Sequence, residues 1–212
     1  MPSMTSSSTP INPATPAAVL NFWLADGVTL GWPSQNLNKR WFTGGPTLDQ
    51  AIGQQFGSAV ALALAGGLAD WEAAPLDRLA LIIVLDQFTR NMFRGSAQAF
   101  AGDARAQLLV RQTLAAQQDR KLPWVCRVFL HMPLMHAESL ALQDQCVACF
   151  RQLIVDAPED LKERLQGNLD FARQHRDIIS RFGRFPYRNA ALERSNTPAE
   201  EEFLLNGKRF GQ

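Results

Sequence analysis

Apolar residues recur at three- and four-residue spacing along most of this chain, and the densest block lies in PLDRLALIIVLDQFTRNMFRG, residues 75–95. Pro75 suits a first helical turn, an unbroken apolar run fills residues 79–85, and polar residues follow at Asp86, Gln87, Arg90, Asn91 and Arg94. A helix that is apolar on every side is a central one. Its last turns place Asp86 and Arg90 at i, i+4 with the acid N-terminal to the base, the favourable order for an ion pair. The segment is therefore expected to be both scaffold and one wall of a site.

The same spacing predicts the other elements in order. Thr15 and Pro16 read as an N-cap and first helical residue, with Val19, Leu20, Trp23 and Leu24 on one face, so a first helix covers about residues 16–25. Asp26-Gly27 stops it. Residues 38–42 allow one helical turn, and Thr47 is expected to cap a long helix carrying Leu48, Ile52, Phe56, Ala59, Val60 and Ala63, ended by Gly66-Gly67. Residues 97–117 have the alanine, leucine and glutamine content of a further helix. Pro123 opens another, Pro133 predicts a boundary or kink at Met132, and helix resumes over residues 134–155. A last long helix is expected from about Asp156 to Arg181, stopped by Gly183 and Pro186, and Thr197-Pro198 opens a short one. No segment alternates as a strand would, and β-branched residues are sparse. The expected class is all-α, built from antiparallel helix pairs. No internal repeat near the roughly 34-residue period of tetratricopeptide units is legible.

Composition narrows the class of protein. A chain of 212 residues, 46% of them hydrophobic, can bury one substantial core, which predicts a single helical domain over residues 15–212. Residues 1–14 read as a disordered tail, since MPSMTSSSTPINP has neither the basic nor the apolar region of a signal. Lys+Arg of 21 against Asp+Glu of 20 leaves a formal charge of +1, so no overall field recruits nucleic acid or an anionic membrane. The longest uncharged apolar run is far short of the roughly 20 residues of a membrane span. Three cysteines, Cys126, Cys146 and Cys149, suit a reduced cytoplasmic protein better than a disulfide framework. Arginine outnumbers lysine about four to one, as sites for planar, bidentate recognition of carboxylate or phosphate require, although GC-rich coding produces the same bias.

Candidate chemistry gathers in HMPLMHAESLALQD, residues 131–144. If the chain is helical from Leu134, Glu138 has Leu134, Met135, Ala141 and Leu142 as neighbours, and Asp144 has Leu140, Ala141, Val147 and Ala148. A carboxylate in apolar company must pair with a base or have a raised pKa. Structural ion pairs with arginines are the bland alternative. His136-Ala137-Glu138 with Cys146-x-x-Cys149 mimics a zinc deaminase pattern. The context fails: no proline precedes Cys146, and both halves fall in one expected helix, so no metal is expected. His175 shares a stripe with Phe171, Ile178 and Ile179, the pattern of a core histidine or of a proton-transfer group at a pocket. Beyond it, Arg173, Arg176, Arg181, Arg184 and Arg188 interleave with Phe182, Phe185 and Tyr187, so aromatics anchor the segment while guanidiniums pair with carboxylates or a bound anion.

The strings LALIIVLDQFTRNMFRGSAQAFAGD from Leu79, FLHMPLMHAESLALQDQ from Phe129 and ARQHRDIISRFGRFPYRNAALERSNTPAEEEFL from Ala172 resemble the bacterial and plant family catalogued as domain of unknown function 924 (DUF924). VLNFWLADG and KRWF fit it as well, so the resemblance covers nearly everything beyond about residue 16. It implies an all-helical, tetratricopeptide-like arrangement and carries no established activity. Asp86, Gln87, Arg90, Asn91, Arg94, His136, Glu138, His175, Arg181, Gly183, Arg184, Arg188 and Asn189 match its motifs. Four positions depart from it: Thr89 for proline, His131 for an aromatic such as tyrosine, Ala137 for serine, and Tyr187 for histidine. The last matters most, because tyrosine donates a hydrogen bond but is a poor base near pH 7.

Together these features predict a polar cleft that binds a small anionic ligand, a carboxylate or phosphate compound. It would lie between the end of the central helix, the His136/Glu138 turn and residues 181–189. Arg90, Arg94, Arg184 and Arg188 would hold the charge, Asp86 would orient an arginine, and Asn91, His175, Arg181 and Asn189 would complete the wall. Glu138 and His136 would serve proton transfer, with no cofactor. An interaction module that grips a peptide or protein partner in a concave helical groove is the alternative.

Overall fold

A computed structural model describes residues 14–207. The predicted N-terminal tail falls, apart from Ala14, outside the described residues. The chain runs through α1 (Pro16–Leu24), α2 (Gly27–Leu30), a π turn (Lys39–Thr43), α3 (Pro46–Leu64), α4 (Pro75–Ile83), a π segment (Val84–Phe88), α5 (Thr89–Met92), α6 (Asp103–Ala115), α7 (Trp124–Met135), α8 (Leu140–Asp156), α9 (Glu159–Phe182), a 3-10 turn (Pro186–Arg188) and α10 (Pro198–Asn206). No strand occurs among the described residues, so the class is all-α. Helices of unequal length interrupted by π and 3-10 turns do not by themselves establish a regular tetratricopeptide-like repeat.

Local chemistry explains most boundaries. Thr15 accepts the Ala18 N–H at 3.2 Å and Pro16 opens α1, whose Val19, Trp23 and Leu24 reach zero exposure. Thr47 does not cap α3 as expected: Pro46 already occupies the first turn, and Gly45, at φ 131, is the cap. Such a φ suits glycine alone, so the backbone turn sets this boundary. Gly183, at φ 72, returns its N–H to the Ile179 carbonyl at 2.8 Å and ends α9. Thr197 and Glu200 form a complete capping box at α10.

Residues 79–85 of the central helix are all at most 1% exposed, and burial continues through Asp86, Gln87, Phe88, Thr89 and Arg90. Between α4 and α5 the backbone widens to a π segment, a device that re-aims side chains within an otherwise continuous helix. The expected helix over residues 97–117 is instead a 3-10 turn (Ala97–Phe100) followed by α6. Gly102 separates them because the chain there presses on the central helix; a Cβ at this position would lie 2.2 Å from the Leu85 carbonyl oxygen.

Pro133 does not end α7, which continues to Met135. A proline this near a C-terminus deletes one hydrogen bond, to Phe129, and burial of every residue from Val125 to Met135 holds the helix together regardless. Helix therefore does not resume at Leu134: residues 136–139 form a turn, and the neighbours expected of a helical Glu138 do not apply. Asp144 is exposed and meets Arg176 at 2.6 Å, so it does not sit in apolar company. Two residues join α8 to α9, and the pair makes the most extensive helix contact among the described residues. One large apolar cluster spans α1 to α9, and a small second cluster, Ile178, Ile179 and Phe185, seats the segment after α9.

Candidate functional site

Where the end of the central helix, the C-terminus of α7, the middle of α9 and the turn Pro186–Arg188 meet, they enclose a cavity of ≈ 260 Å³. Arg90 is the hinge of its charge network. Its guanidinium takes Asp103 with both terminal nitrogens, at 2.8 and 2.9 Å, and meets Asp86 at 3.0 Å. The i, i+4 pair read from the sequence thus forms, although Asp103 supplies the bidentate contact. Burial opposes the Arg90 charge, and the two aspartates outweigh it, raising its pKa.

Asp86 is 1% exposed and gathers three donors. His136 Nδ1 lies 2.8 Å from Oδ1, Gln87 Nε2 donates to Oδ2 at 2.6 Å, and Arg90 completes the set. Burial alone would push this carboxyl up; the charges of Arg90 and His136 and the hydrogen bonds reverse it and hold it far below the usual carboxylate range. A carboxylate only accepts, so the shared proton belongs to His136 Nδ1 and the Nε2 lone pair is the ring's other face. Burial, then opposed by Asp86 and assisted by Arg90, lowers the His136 pKa and keeps the ring neutral at pH 7. His175 sits 6.2 Å away ring to ring and donates Nδ1–H to the Phe171 carbonyl at 2.8 Å. Burial pushes its pKa down to about 3.

Arg188 is a buried cation with only a long ion pair. It is 4% exposed, its nearest carboxylate oxygen on Asp103 is 3.6 Å away, and Nε has no hydrogen-bond partner among the described residues. Phe100 and Phe185 flank its guanidinium at 4.6 and 4.4 Å. Burial, and then the neighbouring Arg90 charge, pull its pKa below the ordinary value. Arg90, Arg94 and Arg188 with His136 and His175 line the cavity, while no described carboxylate does. Asp86, Asp103 and Asp49 stand behind the arginines. At the rim Phe42 and Phe171, both 47% exposed, stack at 6.3 Å.

The remaining predicted residues are divided. Asn91 lines the cavity and donates to the Gln87 carbonyl at 2.8 Å, and Tyr187 lines it with its ring stacked on Phe185. Glu138 does not line it. Both of its oxygens take Arg194, at 2.6 and 2.9 Å, and one also accepts the Phe185 N–H at 2.8 Å. Arg184 is committed to Glu200 at 2.6 Å and, with the exposed Arg181, borders a separate surface depression near α10. Asn189 is buried and donates to Asn196 at 2.8 Å. Three segments therefore converge as expected, but Glu138, Arg181, Arg184 and Asn189 stand outside the cavity. Sequence reasoning missed Asp103, Arg194 and the Phe42–Phe171 rim, although Asp103 and Arg194 lie inside the strings that carry the family resemblance.

No curated protein matches this chain. The fold is similar to that of the protein of unknown function ATU0120 from Agrobacterium tumefaciens, with a TM-score of 0.74 and 31% sequence identity over 91% of this chain and 97% of the other. The sequence profile of DUF924, described as a bacterial protein of unknown function, matches residues 19–208. With its central-helix, His136 and Arg188 motifs placed around one cavity, the chain belongs to the DUF924 family.

Proposed function

We propose that the cavity binds a small organic anion through Arg188 and Arg90, with a carboxylate or phosphate group as the recognised end. The observation that carries this reading is the sorting of charge: three arginines and two histidines face inward, and every acid that balances them is one layer back. A buried guanidinium whose nearest carboxylate oxygen is 3.6 Å away gains from an added anion, because hydrogen bonds to ionised partners are the strong ones. At ≈ 260 Å³ the space falls below the roughly 300–1,000 Å³ of drug-sized pockets, which favours a ligand of metabolite size. The test is a thermal-denaturation screen with inorganic phosphate and small mono- and dicarboxylates. The wild type is stabilised in a saturable, concentration-dependent manner by at least one of them, and Arg188→Gln is not. Equal stabilisation of the two proteins moves the site elsewhere.

An interaction module would require a long groove lined by exposed side chains. A compact cavity of ≈ 260 Å³ lined by arginines favours the small-molecule reading over it, as it does over a purely structural charge network, which would leave no space at the junction. No helix among the described residues is long and apolar enough to cross a membrane.

A further inference from the structure

We propose that the cavity is an acid–base centre in which His136 Nε2 removes a proton from the carbon beside the keto group of a bound small 2-oxo acid, with Asp86 as the positioning residue. This rests on the anion-binding reading above and adds a reaction to it. Three geometric facts converge. Asp86, fully buried and 2.8 Å from Nδ1, fixes the tautomer of an imidazole that itself lines the cavity and is 15% exposed, so the basic nitrogen is the one that can meet a ligand. Thr43 is the one aliphatic hydroxyl in the lining and no serine or cysteine joins it among the described residues, so the proton acceptor faces bound ligand more than protein nucleophiles. Finally, Arg90 and Arg188 line the same cavity, so a carboxylate and the negative charge that develops during reaction would meet two guanidiniums there.

A carbonyl makes the proton on the adjacent carbon labile enough for a histidine base, and an oxo acid carries that carbonyl next to the carboxylate the arginines would hold, which a simple carboxylate does not. In the step, the C–H bond breaks, the proton goes to Nε2, and the electron pair moves onto the keto oxygen as an enolate stabilised by the guanidiniums. Return of a proton from the imidazolium to the same carbon completes an exchange that consumes nothing. The groups facing His136 are Asp86 and Arg90 from the central helix, Arg188 from the 3-10 turn and His175 from α9. Two cations nearby disfavour the imidazolium in the empty cavity; a bound carboxylate offsets them, so ligand binding itself strengthens the base. Tyr187, whose phenol burial keeps protonated, adds a neutral donor to the same wall.

The experiment incubates the full chain in D2O with 2-oxobutyrate or 2-oxoglutarate and follows loss of the proton signals beside the keto group by NMR, with thermal stabilisation by the same acids as the binding readout. Exchange catalysed by the wild type, with an acid limb in its pH profile from a single group, is expected. His136→Gln and His136→Asn lose on the order of a hundred- to ten-thousand-fold of the exchange rate while keeping the thermal stabilisation. Asp86→Asn lowers the rate and moves the acid limb to lower pH, because the charge that raises the His136 pKa is gone; a limb left in place shows that the titrating base is not the histidine in contact with Asp86. Binding without wild-type exchange, a pH profile with no acid limb, or undiminished exchange in both His136 variants overturns the base assignment and leaves the anion site standing. Failure of both acids to bind overturns the assignment of 2-oxo acids, and failure of phosphate and simple carboxylates as well removes the site.

Discussion

Asp86 and His136, 50 residues apart in sequence, meet through a 2.8 Å contact between carboxylate and imidazole Nδ1, which ties the π segment of the central helix to the C-terminus of α7. That contact makes Asp86 the counter-charge for one wall of the cavity. Removing it leaves Arg90 with Asp103 alone and His136 with no acceptor. Asp86→Ala is therefore expected to cost about 3 kcal/mol, the lower end for breaking a buried ion pair, in chemical denaturation at pH 7. The folded-state pKa of Asp86 is depressed, so its stabilisation is present above the ordinary carboxylate value of about 4 and disappears as pH falls below it. The wild-type and Asp86→Ala stabilities should accordingly converge in acid.

His131 and His175 act in a higher pH window. Burial depresses both pKa values to about 3, so the unfolded chain binds their protons first, near its ordinary value of about 6.5. Stability is complete above that value and falls as pH drops toward 3, by roughly 1–2 kcal/mol per histidine at pH 5. His131 is 1% exposed, both ring nitrogens lack partners among the described residues, and its ring meets Phe150 edge-on. His131→Phe should therefore stabilise the protein by about 1 kcal/mol at neutral pH and remove half of this acid dependence, as read by denaturant midpoints across pH 4–8.

At Gly102 the start of α6 presses against the central helix. Alanine there puts a methyl carbon 2.2 Å from the Leu85 carbonyl oxygen, which is backbone and cannot rotate aside. Gly102→Ala is expected to destabilise by about 3 kcal/mol. Since Leu85 belongs to the π segment and Asp103 follows Gly102, a ligand-dependent thermal shift should weaken in the same variant.

How far the sequence discloses all this depends on what kind of interaction fixes each feature. Caps are local chemistry, so Thr15, Gly183 and the Thr197–Glu200 box are legible residue by residue. The π segment leaves no local signature, because packing of Leu85 on Gly102 and the pairs of Asp86 and Arg90 select it. Pro133 misleads for the same reason: surrounding burial outweighs its one lost hydrogen bond, and with the helix boundary displaced to His136, Glu138 falls in a turn. The arginine-rich C-terminal segment announces anion chemistry, but composition cannot tell which guanidiniums are already neutralised. Arg184 meets Glu200 and Arg194 meets Glu138 at 2.6 Å each, whereas Arg188 is 3.6 Å from its nearest carboxylate oxygen.

Glu138 separates structural from ligand-binding roles. Its bidentate Arg194 pair and its bond from the Phe185 N–H fix the segment that presents Tyr187 and Arg188. Burial would raise its pKa, and the Arg194 and Phe185 hydrogen bonds reverse this and lower it. Glu138→Gln should cost about 1–2 kcal/mol, yet keep a reduced response to the anion that stabilises the wild type. Complete loss of response with unchanged stability would instead place Glu138 at the ligand.

Diffraction from crystals soaked in selenate, a tetrahedral anion with a strong anomalous signal, locates the site whatever the natural ligand is. An anomalous peak within hydrogen-bonding distance of Arg188, on the side facing His136, is the result expected for the wild type, and its absence is expected for Arg188→Gln. Selenate found only on the outer surface, with the cavity between Arg90, Arg188 and His136 empty of it, would contradict the assignment of that cavity as an anion site.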